Sequence, residues 1–267
     1  MCHLGVVPSE VFFSNLNKML SKAFLIVILI IMQLKQAKIL ITGGSSGLGK
    51  SMAEVLTEAG ARVLITGRNA EKVERVAREI GCLGLTFDVA QYDSIASHAA
   101  QAVELLEGID VLINNAGIGE FAPLGQIKLE QLERVFSVNV FGLTLLTQEI
   151  LPHLKEKKSG HIINIASTAA LKGFAHGSVY AASKFALRAL TQCWQAELRP
   201  QGIRVLQINP SEVPTAFNQS NREERELQEH KLTPTEIAHS IKAVLTMDDR
   251  GMIPELSVWA TNPWAAQ

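Results

Sequence analysis

The sequence predicts an α/β protein with a doubly wound parallel sheet of about seven strands, helices on both faces and a single domain. Strand-like and helix-like segments alternate from residue 38 to residue 260, which is typical of a parallel sheet covered on both faces. Residues 111–113 (Val-Leu-Ile) form one of several continuous apolar runs, as expected for doubly covered strands. Ligands in such sheets bind beyond the carboxyl ends of the strands. Candidate binding residues follow the strand ends at Gly43, Arg68, Asp88, Asn114, Ser167 and Asn209.

The individual elements are predicted from apolar spacing and from the glycines that interrupt it. In the first helix, Met52, Val55, Leu56 and Ala59 recur at helical spacing, and Gly60 ends the helix. The predicted strands are 38–42, 62–66, 83–87, 110–114, 161–166, 203–208 and 252–259. The predicted helices are 48–59, 70–80, 92–106, 129–155, 178–198 and 234–247.

Composition excludes several classes of partner. The 267 residues carry a net charge of −1, with 47% hydrophobic and 19% charged residues. This balance gives no electrostatic basis for binding nucleic acid or an acidic membrane surface. Cys2, Cys82 and Cys193 are far apart and have neither metal-ligand nor redox spacing. They are typical of reduced thiols, so we expect a cytoplasmic protein.

Residues 1–37 are predicted to be an N-terminal extension, and residues 38–267 the folded domain. Residues 23–32 form an unbroken apolar stretch of ten residues, whereas a bilayer span needs about 20. The stretch resembles the apolar part of a signal peptide, but no small-residue cleavage site follows it. An overextended start, a membrane anchor and a mobile tail are the alternatives, of which we favour a start at Met32. We therefore expect residues 1–31 to be dispensable for the fold and the chemistry.

Residues 42–49 (Thr-Gly-Gly-Ser-Ser-Gly-Leu-Gly) predict a phosphate-binding turn. A short apolar strand precedes them and a helix follows, the arrangement in which backbone N–H groups and a helix N-terminus bind a pyrophosphate. Glycines are needed because a Cβ would block the tight turn and the close approach of phosphates. A flexible loop is the alternative for an isolated motif, but the flanking strand and helix favour dinucleotide binding.

Tyr180 and Lys184 lie four residues apart in a predicted helix, so their side chains share one face. A nearby ammonium typically lowers the pKa of a phenol by about 1–3. A phenol with a pKa that starts near ~10 then becomes a usable acid or base around neutral pH. The pair alone is weak, because this spacing occurs by chance on many helices. Ser167 and Asn139 strengthen it, although Ser167 could simply end a strand and Asn139 could be a satisfied buried amide.

These segments resemble the short-chain dehydrogenase/reductase family, in its compact single-domain branch, over about residues 38–260. The spacing of Thr42, Gly43, Gly47 and Gly49 fits that branch, and the sequence looks like its 3-oxoacyl reductases. Residues 114–117 (Asn-Asn-Ala-Gly) are similar to a sheet-stabilising, cofactor-contacting segment of the family. The family usually has glycine at the position of Ser211, and serine would be strained there if the turn needs a positive φ.

The resemblance implies a Rossmann-like fold and proton-coupled hydride transfer between a carbonyl and a secondary alcohol, with NADP(H) as the cofactor. Tyr180 would be the acid or base, Asn139 would anchor a water that links Lys184 to solvent, and Thr215 would contact the nicotinamide amide. The implied catalytic residues are Asn139, Ser167, Tyr180 and Lys184. The implied cofactor-binding residues are Thr42, Gly43, Ser45, Ser46, Gly47, Leu48, Gly49, Arg68, Asp88, Val89, Asn115, Ala116, Gly117, Tyr180, Lys184 and Thr215.

Gly67 and Arg68 predict a preference for NADP(H). NAD-selective relatives carry an acidic group at the position of Gly67, and the guanidinium of Arg68 suits a 2′-phosphate. The resemblance also implies a small-molecule carbonyl or alcohol substrate, whose identity stays open. The polar segment 220–230, where the family places its substrate lid, gives little support for a bulky steroid-like ligand.

Two further expectations concern assembly and class. Helices 129–155 and 178–198 have more apolar positions than one sheet face covers, so we expect a homodimer or homotetramer. A non-catalytic NADPH-sensing regulator on the same fold is the alternative function, against which the intact catalytic set argues. Membrane association, if any, would use residues 23–32.

Overall fold

The computed structural model describes residues 34–217, 225–248 and 250–264. Seven parallel strands form one sheet in the order β3-β2-β1-β4-β5-β6-β7. The predicted doubly wound parallel sheet in a single domain is confirmed. The strands are β1 (Lys38–Ile41), β2 (Arg62–Gly67), β3 (Leu83–Thr86), β4 (Val111–Asn114), β5 (Gly160–Ile165), β6 (Ile203–Pro210) and β7 (Glu255–Val258).

Helices cover both faces of this sheet because successive strand side chains point to opposite faces. Ile39 and Ile41 of β1 belong to one apolar cluster with α1, α2 and α7, whereas Leu40 belongs to a second cluster with α3 and α5. The α-helices are α1 (Gly47–Glu58), α2 (Ala70–Ile80), α3 (Tyr92–Leu106), α4 (Leu129–Phe136), α5 (Leu143–Lys157), α6 (Ser178–Leu198) and α7 (Pro234–Leu245).

Strand β1 is central in the sheet. It pairs with β2 on one side and β4 on the other, so the strand order reverses next to it. The crevice between the ends of β1 and β4 is the switch point at which ligands bind in doubly wound sheets. Leu34, the first described residue, already belongs to the core, since it is 3% exposed and packs in the cluster beside β1. The apolar stretch 23–32 lies outside the described residues, so the dispensability of residues 1–31 stays a prediction.

The predicted single helix 129–155 differs from the structure in its middle. Between α4 and α5 the chain forms a π-helical segment, Ser137–Gly142, in which Asn139 lies. A Cβ at Gly142 would collide with the carbonyl oxygen of Val89, so the helix runs directly against the loop after β3. Such π-helical turns are frequent at functional sites. Here the extra residue directs the Asn139 side chain towards Ile118 and Ser183.

Helix Leu129–Lys157 is long and apolar enough to cross a bilayer by length and composition. Half of its most apolar window is buried inside the protein, which is also how a core helix of a soluble protein behaves. This feature is therefore weak support for a membrane span, and the expected cytoplasmic location stays a prediction.

Candidate active site

A cleft of about 1430 Å³ opens beyond the carboxyl ends of the strands. Among the residues of the predicted site, Thr42, Gly49 and Asn139 are buried behind the lining of the cleft. The others line it: Gly43, Ser45, Ser46, Gly47, Leu48, Arg68, Asp88, Val89, Asn115, Ala116, Gly117, Ser167, Tyr180, Lys184 and Thr215.

The glycine loop is fixed to the segment after β4 by hydrogen bonds. The Thr42 hydroxyl accepts from the backbone N–H groups of Asn115 and Ala116, at 3.0 Å each. The Asn115 amide nitrogen donates back to the carbonyls of Thr42 (2.9 Å) and Gly43 (3.0 Å). This reciprocal set explains why Thr42 serves the site without lining the cleft: it positions two neighbouring loops.

Glycines allow the loop to turn and to pack this closely. Gly43 and Gly47 have φ values of +64° and +51°, which are costly for residues with a Cβ. A Cβ at Gly49 would collide with the Gly43 carbonyl oxygen. Helix α1 begins here without a side-chain cap from Ser46 and without an acidic residue in its first turn. A helix N-terminus of this kind favours an anion, so the residues present fit a pyrophosphate.

The end of the cleft beside β2 contains the residues predicted to select the cofactor. Gly67 is the last residue of β2, and a Cβ there would come within 2.9 Å of the Ser45 hydroxyl oxygen. The side chain of Arg68 is 56% exposed, and its Nη1 lies 3.9 Å from Oδ2 of Asp88. Asp88 also accepts from the backbone N–H of Ala90 at 3.0 Å. A guanidinium is thus present at this end, and a side chain at position 67 would require the Ser45 hydroxyl to move.

Tyr180, Lys184 and Ser167 come together at the opposite end. Helix α6 carries Tyr180 and Lys184 on one face, and the Lys184 Nζ lies 5.7 Å from the centroid of the Tyr180 ring. Ser167 follows β5, and its hydroxyl is hydrogen-bonded to that of Tyr180. Ser167 also accepts from the Ala169 N–H at 3.1 Å, so the hydroxyl caps a 3-10 turn and faces the phenol.

Burial controls the protonation of this pair. Desolvation raises the pKa of Tyr180 to about 12, while the hydrogen bond from Ser167 acts in the opposite direction. Desolvation lowers the pKa of Lys184 to about 8, and its Nζ donates to the Ile165 carbonyl at 3.0 Å. The sequence-based prediction that Lys184 brings the Tyr180 pKa down towards neutrality is therefore wrong for this structure. Removing both groups from water outweighs their mutual interaction.

Asn139 is held by protein groups on every side. Its amide nitrogen donates to the Ile118 carbonyl (2.9 Å) and to the Ser183 hydroxyl (3.0 Å), and its oxygen accepts from the Ile118 N–H at 2.9 Å. Ser183 in turn donates to the carbonyl of Tyr180 at 2.7 Å. Asn139 therefore links the loop after β4 to the helix that carries Tyr180.

The segment after β6 resolves the question raised by Ser211. Ser211 is not among the described residues with positive φ, and its N–H donates to the Val258 carbonyl at 2.9 Å. The turn therefore tolerates serine without strain. Thr215 is buried and lies against Gly47 of the glycine loop. Residues 218–224 of the predicted lid lie outside the described residues.

Sequence reasoning missed a set of aromatic residues around Tyr180. Phe121 and Phe217 lie with ring centroids 5.7 Å and 5.6 Å from that of Tyr180, and Phe174 lies 6.0 Å from Phe121. All three line the cleft. They come from three separate loops with no regular spacing, so the sequence held no signal that could join them.

The fold and the cleft define a dinucleotide-binding α/β protein, and comparisons with known proteins agree. The family model for short chain dehydrogenases matches residues 37–226. The chain therefore belongs to the short-chain dehydrogenase/reductase family, whose members are NAD(P)-dependent oxidoreductases acting on small molecules.

Individual relatives place it within that family. The chain is 34% identical over 212 residues to mouse dehydrogenase/reductase SDR family member 7B, an alignment covering 76% of this chain and 63% of that protein. The chain thus spans less than two thirds of that relative's length.

Two solved structures are similar throughout the domain. An alcohol dehydrogenase from the archaeon Thermococcus sibiricus, in complex with 5-hydroxy-NADP, has a TM-score of 0.78 at 25% identity, covering 86% of this chain and 98% of that one. A metagenomic short-chain oxidoreductase in complex with NADP has a TM-score of 0.73 at 32% identity, with coverages of 85% and 97%.

Proposed function

We propose that the protein is an NADP(H)-dependent carbonyl reductase, in which Tyr180 donates a proton to the carbonyl oxygen. The observation that carries this proposal is the hydrogen-bonded pair of Ser167 and Tyr180 hydroxyls facing the cleft. Two hydroxyls that converge on one point can hold a carbonyl oxygen and protonate it as it becomes an alkoxide. A bound nicotinamide supplies the hydride.

Each of the other catalytic candidates has a distinct role. Ser167 orients the carbonyl oxygen, and Lys184, a full turn along α6 from Tyr180, adds positive charge at the phenol and donors for the ribose of the cofactor. Asn139 holds the Ile118 loop and α6 at a fixed separation. Both of its amide hydrogens are committed to Ile118 and Ser183, so a relay water would bind through its Oδ1 or through a backbone carbonyl.

The ionisation of Tyr180 in the cofactor-free protein is the one that carbonyl reduction needs. With a pKa of about 12, the phenol keeps its proton throughout the physiological range, which is the form needed to protonate a carbonyl oxygen. Alcohol oxidation needs the phenolate, so it requires a lower pKa. A positively charged oxidised nicotinamide would act in that sense.

NADP(H) preference rests on the end of the cleft beside β2. The residues that would hold a 2′-phosphate are Arg68, Ser45 and the half-buried Lys72, all of which line the cleft. A guanidinium binds phosphate oxygens in a bidentate fashion. The two structural relatives described above carry NADP or an NADP analogue, which agrees with this preference.

We also propose that the chain assembles as a homodimer or homotetramer. Phe141, Leu145 and Phe185 are large apolar side chains on the helices 129–157 and 178–198, and each is more than a third exposed. Apolar surface of this kind on two adjacent helices is typical of a subunit interface.

The test is a panel of carbonyl compounds with NADPH, followed by absorbance at the wavelength of the reduced cofactor. Tyr180→Phe keeps the ring and removes the transferable proton, so turnover should fall by at least about 1000-fold, in the upper half of the ~100- to 10,000-fold contribution of a general acid. NADPH affinity should change little. Tyr92→Phe is the matched control, since Tyr92 is the other tyrosine of the chain and lies on α3.

Two results would contradict the proposal. If the Tyr180→Phe variant kept substantial reductase activity, the proton donor would lie elsewhere. If the wild-type protein bound NADPH but reduced no member of the panel, the alternative of a non-catalytic NADPH-sensing regulator would be favoured.

A further inference from the structure

We infer that the substrate carries an aromatic or similarly flat apolar group beside its carbonyl, bound by Phe121, Phe174 and Phe217. This inference rests on the proposed function, because it assigns the substrate class of the same site. The polar segment 220–230 gives little support for a bulky steroid-like ligand, and the inference concerns a smaller, flat apolar group.

The three phenylalanines form a continuous aromatic surface with Tyr180. The interplanar angles are 57° between Phe121 and Tyr180, 55° between Tyr180 and Phe217, and 43° between Phe121 and Phe174. Tilted pairs of this kind are the favoured arrangement of aromatic rings. Tyr180, which carries the reactive hydroxyl, is thus part of an apolar aromatic surface. A flat ring of the substrate could pack against this surface in the same tilted arrangement.

Backbone glycines make room for these rings. A Cβ at Gly119 would lie 3.0 Å from the Cζ atoms of both Phe121 and Phe217, and a Cβ at Gly177 would lie 2.5 Å from the Cζ of Phe174. Neither glycine has a positive φ, so their lack of a side chain serves packing, not backbone conformation. The rings are therefore built into the loops and are not free side chains that happen to point inward.

The loops that carry the rings are also tied together. The Ala122 N–H donates to the His176 carbonyl at 2.9 Å, which joins the loop of Phe121 to that of Phe174. Next to Phe121, the carboxylate of Glu120 is ion-paired with Arg134 and accepts from the Gln131 amide at 3.1 Å. Phe121 thus keeps its place beside Tyr180.

These rings leave apolar surface in water that a ligand can cover. Phe121 is 38% exposed and Phe174 is 49% exposed, although both line a concave cleft. Removing such surface from water is favourable in proportion to its area. Pockets of this kind bind ligands mainly by apolar contacts, with a few polar groups that fix orientation, here the hydroxyls of Ser167 and Tyr180.

The charged residues of the cleft do not compete for this position. Glu212 is paired with Lys231 at 2.6 Å, and the Arg225 Nε donates to the Thr215 carbonyl at 3.1 Å. Lys172 is exposed at the beginning of the loop that carries Phe174. The single flexible ammonium of Lys172 suits a substrate with an uncharged polar or singly charged tail better than a substrate with several negative charges.

The experiment compares two diketones of similar reactivity, 1-phenylpropane-1,2-dione and butane-2,3-dione, as substrates of the full chain. Each reduction consumes one NADPH and one proton, with hydride added at the carbonyl carbon and the proton at its oxygen. We expect kcat/KM to be at least about 50-fold larger for the phenyl diketone, from the burial of one ring. A ratio near one would overturn the inference.

Alanine substitutions then test the individual rings. Phe121→Ala, Phe174→Ala and Phe217→Ala should each lower the ratio of the two kcat/KM values by about ten-fold, which corresponds to ~1.4 kcal/mol. The ratio is insensitive to partial unfolding, because loss of folded protein lowers both rates equally. Leu124→Ala is the control, since Leu124 lies in the Phe121 loop, is 90% exposed and does not line the cleft. A ratio that all three variants leave unchanged would contradict the inference.

A binding measurement separates this inference from the proposed function. If neither diketone is reduced, calorimetric titration of 1-phenylpropan-1-one and butanone into the NADPH complex of Tyr180→Phe tests the aromatic site alone. Tighter binding of the phenyl ketone that is lost in Phe121→Ala would support the aromatic site even though reduction fails. Equal binding of the two ketones would reject it.

Discussion

The two ends of the cleft are built in different ways. The cofactor end is formed mainly by backbone groups. They are the glycines at 43, 47 and 49, the N-terminus of α1, and the N–H groups of residues 115–116, which donate to the Thr42 hydroxyl. At the substrate end, side chains from three loops surround Tyr180. Backbone geometry demands particular residue types in a particular order, whereas an aromatic wall can be assembled from rings anywhere in the chain. The first end is therefore visible in a sequence and the second is not.

Lys184 lies beside Tyr180 at the substrate end, and its replacement gives the largest expected effect. Its pKa is lowered to about 8 by burial, from an ordinary value near ~10.4. The unfolded chain therefore binds more protons than the folded one between about pH 8 and pH 10.5, so stability rises with pH across that window. Below pH 8 the buried amine costs about 3 kcal/mol.

Lys184→Met should accordingly raise the free energy of unfolding by about 2–3 kcal/mol at pH 7, after loss of its hydrogen bond to Ile165. The gain should shrink towards zero near pH 10. Urea unfolding at pH 7, 8.5 and 10 measures this, with Lys155→Met, an exposed lysine of α5, as the control. A gain that is the same at pH 7 and pH 10 would contradict the account, which requires Lys184 to be retained for function at the expense of stability.

Gly49→Ala tests the backbone-built end. The new Cβ would collide with the Gly43 carbonyl oxygen, and relieving that overlap should cost about 1–3 kcal/mol. We expect NADPH affinity to fall by about 30-fold, by fluorescence titration. In Gly251→Ala the Cβ meets the flexible end of Met247 at 3.0 Å and the Asp248 carbonyl oxygen at an ordinary contact distance of 3.6 Å, so that variant should bind normally. Normal binding by the Gly49 variant would show that the loop is not the cofactor site.

Arg68→Ala gives the smallest of these effects and separates the two nicotinamide cofactors. The KM for NADPH should rise by about ten-fold, the value of one charge-assisted hydrogen bond, while the KM for NADH stays near the wild-type value. Arg75→Ala, which removes an exposed arginine of α2 paired with Glu79, is the matched control. An equal rise for both cofactors would remove Arg68 as the determinant of NADP(H) preference.

The contrast between the two ends also shows which features of the molecule could be predicted from the sequence. The parallel sheet, the glycine turn and the shared face of Tyr180 and Lys184 all depend on local spacing, and each was predictable. The π-helical segment at Asn139 was not, and its Gly142 packs against the carbonyl of Val89, which is distant in the sequence. Whether Ser211 is strained also depends on the folded turn, in which Ser211 does not have a positive φ.

The pKa of Tyr180 illustrates the same limit in chemical terms. Helical spacing brings an ammonium near the phenol, and from that alone a lowered pKa follows. The structure adds burial of both groups, which raises the Tyr180 pKa to about 12. Desolvation depends on the whole packed surroundings of a residue, including the rings of Phe121 and Phe217, and no local pattern contains it.

The most direct test of the central claim is transfer of deuterium from NADPH. The full chain is mixed with a carbonyl substrate identified by the panel and with NADPH carrying deuterium at both positions of nicotinamide C4, and the alcohol product is examined by NMR. The account predicts one deuterium at the former carbonyl carbon of each product molecule with the wild-type protein, and product loss of at least about 1000-fold with Tyr180→Phe. Alcohol formed without deuterium, or formed equally by Tyr180→Phe, would contradict it.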